Sequence, residues 1–318
     1  MSSASAGIWA RLKTTLSVAP EVPTRPVQLL RRAGGFTLVR SVAQGEQGEV
    51  FLATEPTTGF PVAVKVVKLN PGEVARDRFM REATAAALLN HPDIIRCLSA
   101  GIDDKNSEEA HGWIAMEWVS AEDLGRSLAG SRERWSTGAI LNLGARVAAA
   151  LAYAHRMGVV HRDVKPGNIL VQAHSGIVKV GDFGCAHMSH AGGSRSGVMV
   201  GSPAYMSPEQ LAGTSLDGRS DLYSLGVVLF EALTGRLPFE TSNLGTLLTH
   251  IANQVPPALQ TLRPDLPQPL GSLMAALLAK QPSDRPTDGD ELARELCKMA
   301  LVCGLALPDD AAVTRHNV

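Results

Sequence analysis

His161-Arg162-Asp163-Val164-Lys165-Pro166-Gly167-Asn168-Ile169-Leu170 sets an Asp, a Lys two positions on and an Asn five positions on between two short strand-like runs, Val159–Val160 and Ile169–Val171. An Asp and an Asn on one loop can divide a task. The carboxylate takes a hydroxyl proton, and the carboxamide oxygen ligates a hard metal ion. Fourteen residues beyond Asn168 comes Asp182-Phe183-Gly184, just after another strand-like run, Ile177–Val180. An Asp before a Gly at a strand end is by itself a turn. Following the first run, it reads as a second acidic group of the same site.

Upstream lies Gly45-Glu46-Gln47-Gly48-Glu49-Val50, between two runs rich in β-branched residues. Closely spaced glycines let backbone N–H groups approach an anion without side-chain obstruction. Alone, the same glycines serve equally well as a hairpin turn. Fifteen residues past Val50, Lys65 closes the apolar run Val62-Ala63-Val64. An unpaired ammonium is costly to bury, so a phosphate and a carboxylate are expected beside it. Glu82, in Arg81-Glu82-Ala83, is the candidate carboxylate, although on its own it is an ordinary exposed helical residue.

The rest of the pattern arranges itself around these groups. Phe36–Val42, Glu49–Thr54 and Val62–Lys68 read as strands, Asp77–Asn90 as a helix stopped by His91-Pro92, and Ile94–Ile102 and Gly112–Trp118 as two more strands. Thr137–Met157 then begins a mainly helical half, with Ile140, Leu143, Val147, Leu151 and Ala154 on one face. Asp221–Thr234 is apolar almost all round and ends at Gly235, as a buried central helix should. Further helices are expected at Thr246–Asn253, Leu270–Lys280 and Asp290–Leu301. A sheet with one helix followed by a helical half predicts an α+β fold of two lobes with a cleft between them.

Bulk composition narrows the partners. Lys and Arg (30) nearly balance Asp and Glu (31), for a net charge of -1. No basic excess calls for a nucleic acid or an anionic membrane. Cys97, Cys185, Cys297 and Cys303 form no C-x-x-C pair, which fits thiols in a reducing compartment. With no long apolar run and no leader-like N-terminus, a cytoplasmic protein without a membrane span is expected. Residues 1–34, opened by Ser and Ala and broken by Pro20, Pro23 and Pro26, read as a flexible extension. Ile8–Leu16 within it has the makings of a short amphipathic docking helix. Residues 303–318 read as a polar tail.

The motifs, in this order from about Phe36 to Leu301, resemble the eukaryotic-like (Hanks-type) serine/threonine protein kinases, their bacterial members above all. The resemblance implies a kinase domain over 35–302, with a small lobe at 35–117, a hinge at about 117–123 and a large lobe at 124–302. It implies ATP with magnesium, or manganese in its place, and transfer of the γ-phosphoryl group to protein Ser or Thr hydroxyls. Gly45 and Gly48 would cover the phosphates, with Ala43, Val50 and Ala63 beside the nucleotide. Lys65 would hold the α- and β-phosphates and pair with Glu82. Asp163 would be the base, Lys165 would steady the γ-phosphate, and Asn168 and Asp182 would bind the metal. Met116 matches the gatekeeper, Glu117–Val119 the adenine-reading hinge and Asp123 the ribose contact. Ser207-Pro208-Glu209 would close the activation segment, with Glu209 bridged to Arg285 and Asp221 bracing the catalytic loop.

The activation segment carries Ser194 and Ser196, which match phosphosites of similar kinases, with Arg162 placed to receive a phosphoserine. A transient dimer of two copies would serve that autophosphorylation. Ser202 would bond Asp163 and Lys165 instead. Ala43 stands where the family has its first loop glycine, and since alanine tolerates positive φ poorly, weaker nucleotide affinity rather than lost activity is expected. Gln47, Ser202 and Ser207 are further departures, and none removes a catalytic group. A pseudokinase scaffold is the alternative function, and such proteins usually lack the lysine, the base or the metal Asp. A small-molecule kinase would lack the segment ending at Pro208-Glu209.

Overall fold

β-Branched runs separated by Gly and Pro turns build the first lobe of this computed structural model, which describes residues 32–45, 48–69, 72–103, 110–130, 135–172, 176–183 and 203–303. Strands β1 (Arg32–Ala33), β2 (Phe36–Gly45), β3 (Gly48–Thr54), β4 (Pro61–Lys68), β5 (Cys97–Asp103) and β6 (His111–Glu117) form one antiparallel sheet in the order β1-β2-β3-β4-β6-β5. β4 is internal, and everything from Val62 to Val67 is buried. Alternation gives Val62, Val64 and Val66 to a core with Phe36 and Phe51. Ala63, Lys65 and Val67 take the other face, where Val67 packs with Phe79 and Ala83 of helix α1 (Glu73–Ala87).

The sheet starts before residue 35. Ala33 pairs with Phe36 across Gly34 (φ 57°) and Gly35 (φ 87°). Two consecutive positive φ values make the turn whose twist matches a hairpin, and glycine adopts them without strain. A Cβ on Gly34 would also lie 2.2 Å from Trp113. The proposed boundary at residue 34 therefore falls inside a hairpin, and Gly34-Gly35 was its sequence signal. Residues 1–31, including Ile8–Leu16, lie outside the described residues, as do 304–318.

The second lobe holds α2 (Leu124–Gly130), α3 (Thr137–Arg156), α4 (Pro208–Ala212), α5 (Gly218–Thr234), α6 (Leu244–Asn253), α7 (Leu259–Leu262), α8 (Gln268–Leu277) and α9 (Gly289–Val302). A small sheet, β7 (Glu122–Asp123), β8 (Ile169–Gln172) and β9 (Ile177–Val180), lies in the order β7-β8-β9. Val159–Val160 is not a strand: Val159 N–H bonds back to the Ala154 carbonyl (2.9 Å), closing α3. The helix expected at Asp77–Asn90 begins earlier, after Gly72 (φ 118°), and ends at Ala87. Ser136 caps α3 by accepting from Ala139 N–H (3.2 Å), and Asp217 caps α5 by accepting from Arg219 N–H (2.8 Å). α3 is long and apolar enough to cross a membrane, but Leu141, Val147, Leu151 and Ala154 bury it in the core with Leu225 and Leu229 of α5 and Leu292 and Leu296 of α9.

Arg285, with a fully buried side chain, ties α4 to this lobe. It donates to both carboxylate oxygens of Glu209 (2.6 and 2.9 Å) and to the carbonyls of Ala279, Arg219 and Lys280. Burial opposes ionisation of Glu209, but the bonds from Arg285 and Ser220 outweigh it and hold the carboxyl below its ordinary range. Arg285→Met strands that carboxylate and is expected to cost about 3–5 kcal/mol in denaturant unfolding. A carboxyl with a depressed folded pKa adds stability above its unfolded pKa of about 4.3, and that stability is lost as pH falls through the folded value. The gap between wild type and Arg285→Met should therefore narrow as acid is added below pH ~4.3.

Candidate active site

The floor of the cleft is the loop that joins the end of α3 to β8. Asp221, 1% exposed in the first turn of α5, holds this loop from beneath. Its Oδ2 accepts from the backbone N–H of His161 (2.8 Å) and its Oδ1 from that of Arg162 (2.7 Å). His155 Nε2 lies 2.7 Å from the same Oδ2. His161 Nδ1 accepts from Asp163 N–H (3.2 Å), so its Nε2 carries the proton and donates to the Gly181 carbonyl (2.8 Å). The His161 ring also packs on Phe183, with centroids 4.5 Å apart. One imidazole thus ties the Asp163 loop to the Asp182 turn.

Asp163 Oδ2 sits 2.8 Å from Lys165 Nζ and accepts from Asn168 Nδ2 (3.0 Å), which also reaches the Asp163 carbonyl (2.7 Å). With its nitrogen so engaged, Asn168 keeps Oδ1 as an acceptor. Arg162 (φ 67°) and Asp182 (φ 64°) are the non-glycine residues with positive φ among those described. Each costs conformational energy that the surrounding bonds must offset, and such residues cluster at functional sites.

Above this floor is a cleft of about 510 Å³. Ala43, Gly45, Gly48 and Val50 line its roof, and Ala63 and Lys65 line it from β4. Met116, Glu117, Val119 and Asp123 border it on the connecting segment, and Lys165, Asn168 and Asp182 below. Gly48 (φ 129°) passes so close to β4 that a Cβ would lie 2.2 Å from the Val66 carbonyl oxygen. Ala43 pairs with Val50 inside β2, and its φ is not positive. Alanine meets no strain there, so the expected loss of nucleotide affinity has no backbone cause.

Lys65 does not pair with Glu82. Its ammonium, 3% exposed as a residue, donates to Asp182 Oδ1 (2.9 Å). Burial works against an ionised Asp182, but the Lys65 charge and bond prevail and keep the carboxyl below its ordinary range. Glu82 instead lies 3.9 Å from Arg78, one turn away on α1, and its Oε2 is buried with no hydrogen-bond partner among the described residues. Burial pushes this carboxyl up, against the pull of Arg78, Arg162 and Arg81. The orientation of α1 and the left-handed turn at Asp182 together decide which carboxylate reaches Lys65.

Residues outside the motifs, Lys179, Arg96, Arg126 and Gln210, hold those within them. Glu117 accepts from Lys179 of β9 and from Arg96 N–H (2.9 Å), anchoring the connecting segment. Asp123 accepts from Arg126 N–H (2.9 Å) and pairs with Arg126 Nε (3.2 Å) at the start of α2. Met116 also faces a small pocket behind Lys65 with Cys97 and Phe183. Gln210 reaches the catalytic loop from α4. Lys179 lies 62 residues from Glu117 and Gln210 lies 48 from Arg162, so nothing in the local pattern marks these pairings. Ser194, Ser196 and Ser202 lie outside the described residues.

A five-stranded sheet with its added edge strand, a helical lobe, and a cleft lined below by Lys165, Asn168 and Asp182 and above by Lys65, with Asp163 bonded to Lys165 and Asn168, define the bilobal kinase class of fold. Residues 36–302 match the protein kinase domain family, and the chain belongs to that family. It is 38% identical over 270 residues to serine/threonine-protein kinase pkn3 of Myxococcus xanthus, covering 80% of this chain and 48% of that one. It is 36% identical over 293 residues to serine/threonine-protein kinase PknF of Mycobacterium tuberculosis, covering 88% and 59%. The chain thus spans about half the length of the curated relatives it matches. Among solved structures, the Mycobacterium tuberculosis PknI kinase domain superposes with a TM-score of 0.66 at 31% identity, covering 84% of this chain and 96% of that one.

Proposed function

We propose that the chain transfers the γ-phosphoryl group of ATP, with magnesium, to serine or threonine hydroxyls of proteins, its own activation segment included. One arrangement carries this reading: Asp163 held between Lys165 (2.8 Å) and Asn168 (3.0 Å) under a cleft that also contains the Lys65–Asp182 pair. The Asn168 carboxamide oxygen and the ionised Asp182 carboxylate are hard oxygen donors, which suit magnesium, and manganese in its place. Bound ATP and metal supply the phosphoryl group and neutralise charge on its oxygens.

The chain's own work is positioning. Lys65 presents a cation to the phosphates, and the backbone at Gly45 and Gly48 leaves room for them. Asp163 orients the acceptor hydroxyl and takes its proton, while Lys165 offsets charge beside it. Lys65, Asp163, Asn168 and Asp182 are all present, so the scaffold alternative has no support in the residues. A cytoplasmic location and a transient pairing of two copies for autophosphorylation belong to the same proposal.

The test is transfer of label from γ-labelled ATP to dephosphorylated casein. Phosphoserine or phosphothreonine should appear only with magnesium or manganese, and an unlabelled acceptor with every metal would refute the assignment. Autophosphorylation is expected to centre on Ser194 and Ser196. Arg162 supports this, since its Nε is buried without a partner among the described residues. Intact mass after incubation with ATP should show fewer phosphates on Ser194→Ala/Ser196→Ala than on wild type. Equal phosphate gain and equal activity would remove the switch.

A further inference from the structure

Gln210 is the second residue after Pro208 in the short helix α4, and its carboxamide works at both ends. Oε1 accepts from the backbone N–H of Ser207 (2.9 Å), and the backbone N–H of Gln210 donates to Ser207 Oγ (3.3 Å). Those two bonds form a capping box, which closes the start of α4. Nε2 is not needed for the cap. It donates to the backbone carbonyl of Arg162 (2.8 Å), 48 residues away.

That carbonyl belongs to the peptide unit joining Arg162 to Asp163. Arg162 has φ 67°, a conformation a non-glycine residue leaves readily unless it is held. Asp221 Oδ1 fixes the Arg162 N–H of the preceding peptide (2.7 Å), His161 Nδ1 accepts from the Asp163 N–H of this one (3.2 Å), and Gln210 fixes its carbonyl. Rotation of the peptide would swing Asp163 away from Lys165 and Asn168, since all of its side-chain bonds start from that backbone.

We propose that Gln210 is a positioning residue: its Nε2 locks the peptide plane that aims Asp163, and so links the end of the activation segment to the base. This rests on the reading of Asp163 as the base. A helix-capping role and a positioning role make different demands on the side chain. Glutamate at this position of a capping box supports the cap as well as glutamine does. It has no N–H to give the Arg162 carbonyl.

The experiment compares the full chain as wild type, Gln210→Glu, Gln210→Ala and Ser207→Ala, with ATP, magnesium and dephosphorylated casein. Gln210→Glu should melt within about 2 °C of wild type, because the cap survives. Its kcat should nevertheless fall about twentyfold or more, with KM for ATP within about twofold, because misaiming the base acts on the chemical step rather than on nucleotide binding. Ser207→Ala keeps the Nε2 bond and loses the cap hydroxyl. It should melt lower yet hold kcat within about threefold of wild type. Gln210→Ala loses both, in melting and in kcat. Wild-type kcat in Gln210→Glu overturns the positioning role and leaves a helix cap. Should Gln210→Glu not fold, the other two variants decide: equal kcat for Gln210→Ala and Ser207→Ala overturns the role, and a lower kcat for Gln210→Ala alone upholds it. A wild type that transfers no label overturns the reading of Asp163 itself, and the positioning role with it.

Discussion

Asp163→Asn is expected to lower kcat by about a thousandfold or more while leaving the fold in place. Asparagine has the same shape, so its carboxamide oxygen can still accept from Lys165 Nζ and Asn168 Nδ2, the two bonds Asp163 makes at 2.8 and 3.0 Å. What it cannot do is take a proton from the acceptor hydroxyl, and the negative charge beside Lys165 is lost as well. The loop is held chiefly by Asp221 and His161, neither of which is altered. Thermal melting should therefore stay within about 2 °C of wild type. Steady-state transfer to dephosphorylated casein, measured beside a melting curve, checks both halves. Turnover within about tenfold of wild type would mean that Asp163 is not the base.

Lys65→Met should lower transfer by about a hundredfold to a thousandfold, mostly in kcat. The methionine keeps the apolar stem on the inner face of β4 and removes the charge. Two things then follow. The phosphates lose a cation in a buried setting, and Asp182 loses the partner at 2.9 Å that holds its carboxyl low. Burial then acts on Asp182 against only the weaker pull of His161 and Lys165 and raises its pKa, so protons compete with the metal. The variant should need more magnesium to bind a fluorescent ATP analogue at about pH 6 than at about pH 8, whereas wild type should show little difference. Asp182 retains 27% of its side-chain exposure, so water absorbs part of the loss. The stability cost should be about 1–2 kcal/mol, less than that of Arg285→Met. A metal requirement unchanged between the two pH values would separate Lys65 from Asp182.

Much of the site was legible because its chemistry is local. Asp163, Lys165 and Asn168 fall within one six-residue span, and a loop that short brings them together whatever surrounds it. Lys65 was legible for another reason: a charge inside an apolar strand calls for a partner wherever the strand is buried. The buried run Asp221–Thr234 announced its central place by being apolar all round, and α5 occupies it from Gly218. Element ends were less legible. α1 begins at Glu73 and Val159–Val160 closes a helix, because both depend on which backbone groups find partners nearby.

From the sequence alone came the two-lobed α+β fold, the strand that carries Lys65, the loop that carries the base and the acidic turn at Asp182. Periodicity and short spacing encode such features directly. The tertiary structure decided which carboxylate meets Lys65: Asp182, 117 residues away, rather than Glu82. It also decided that Glu117 is anchored by Lys179, that His155 shares Asp221, and that Gln210 grips the Arg162 carbonyl. These pairings depend on how α1, α4 and α5 are set against the sheet and the loop. An error of one helical turn, about 5.4 Å along the axis, exceeds the reach of any hydrogen bond, and residue spacing carries no information on that scale.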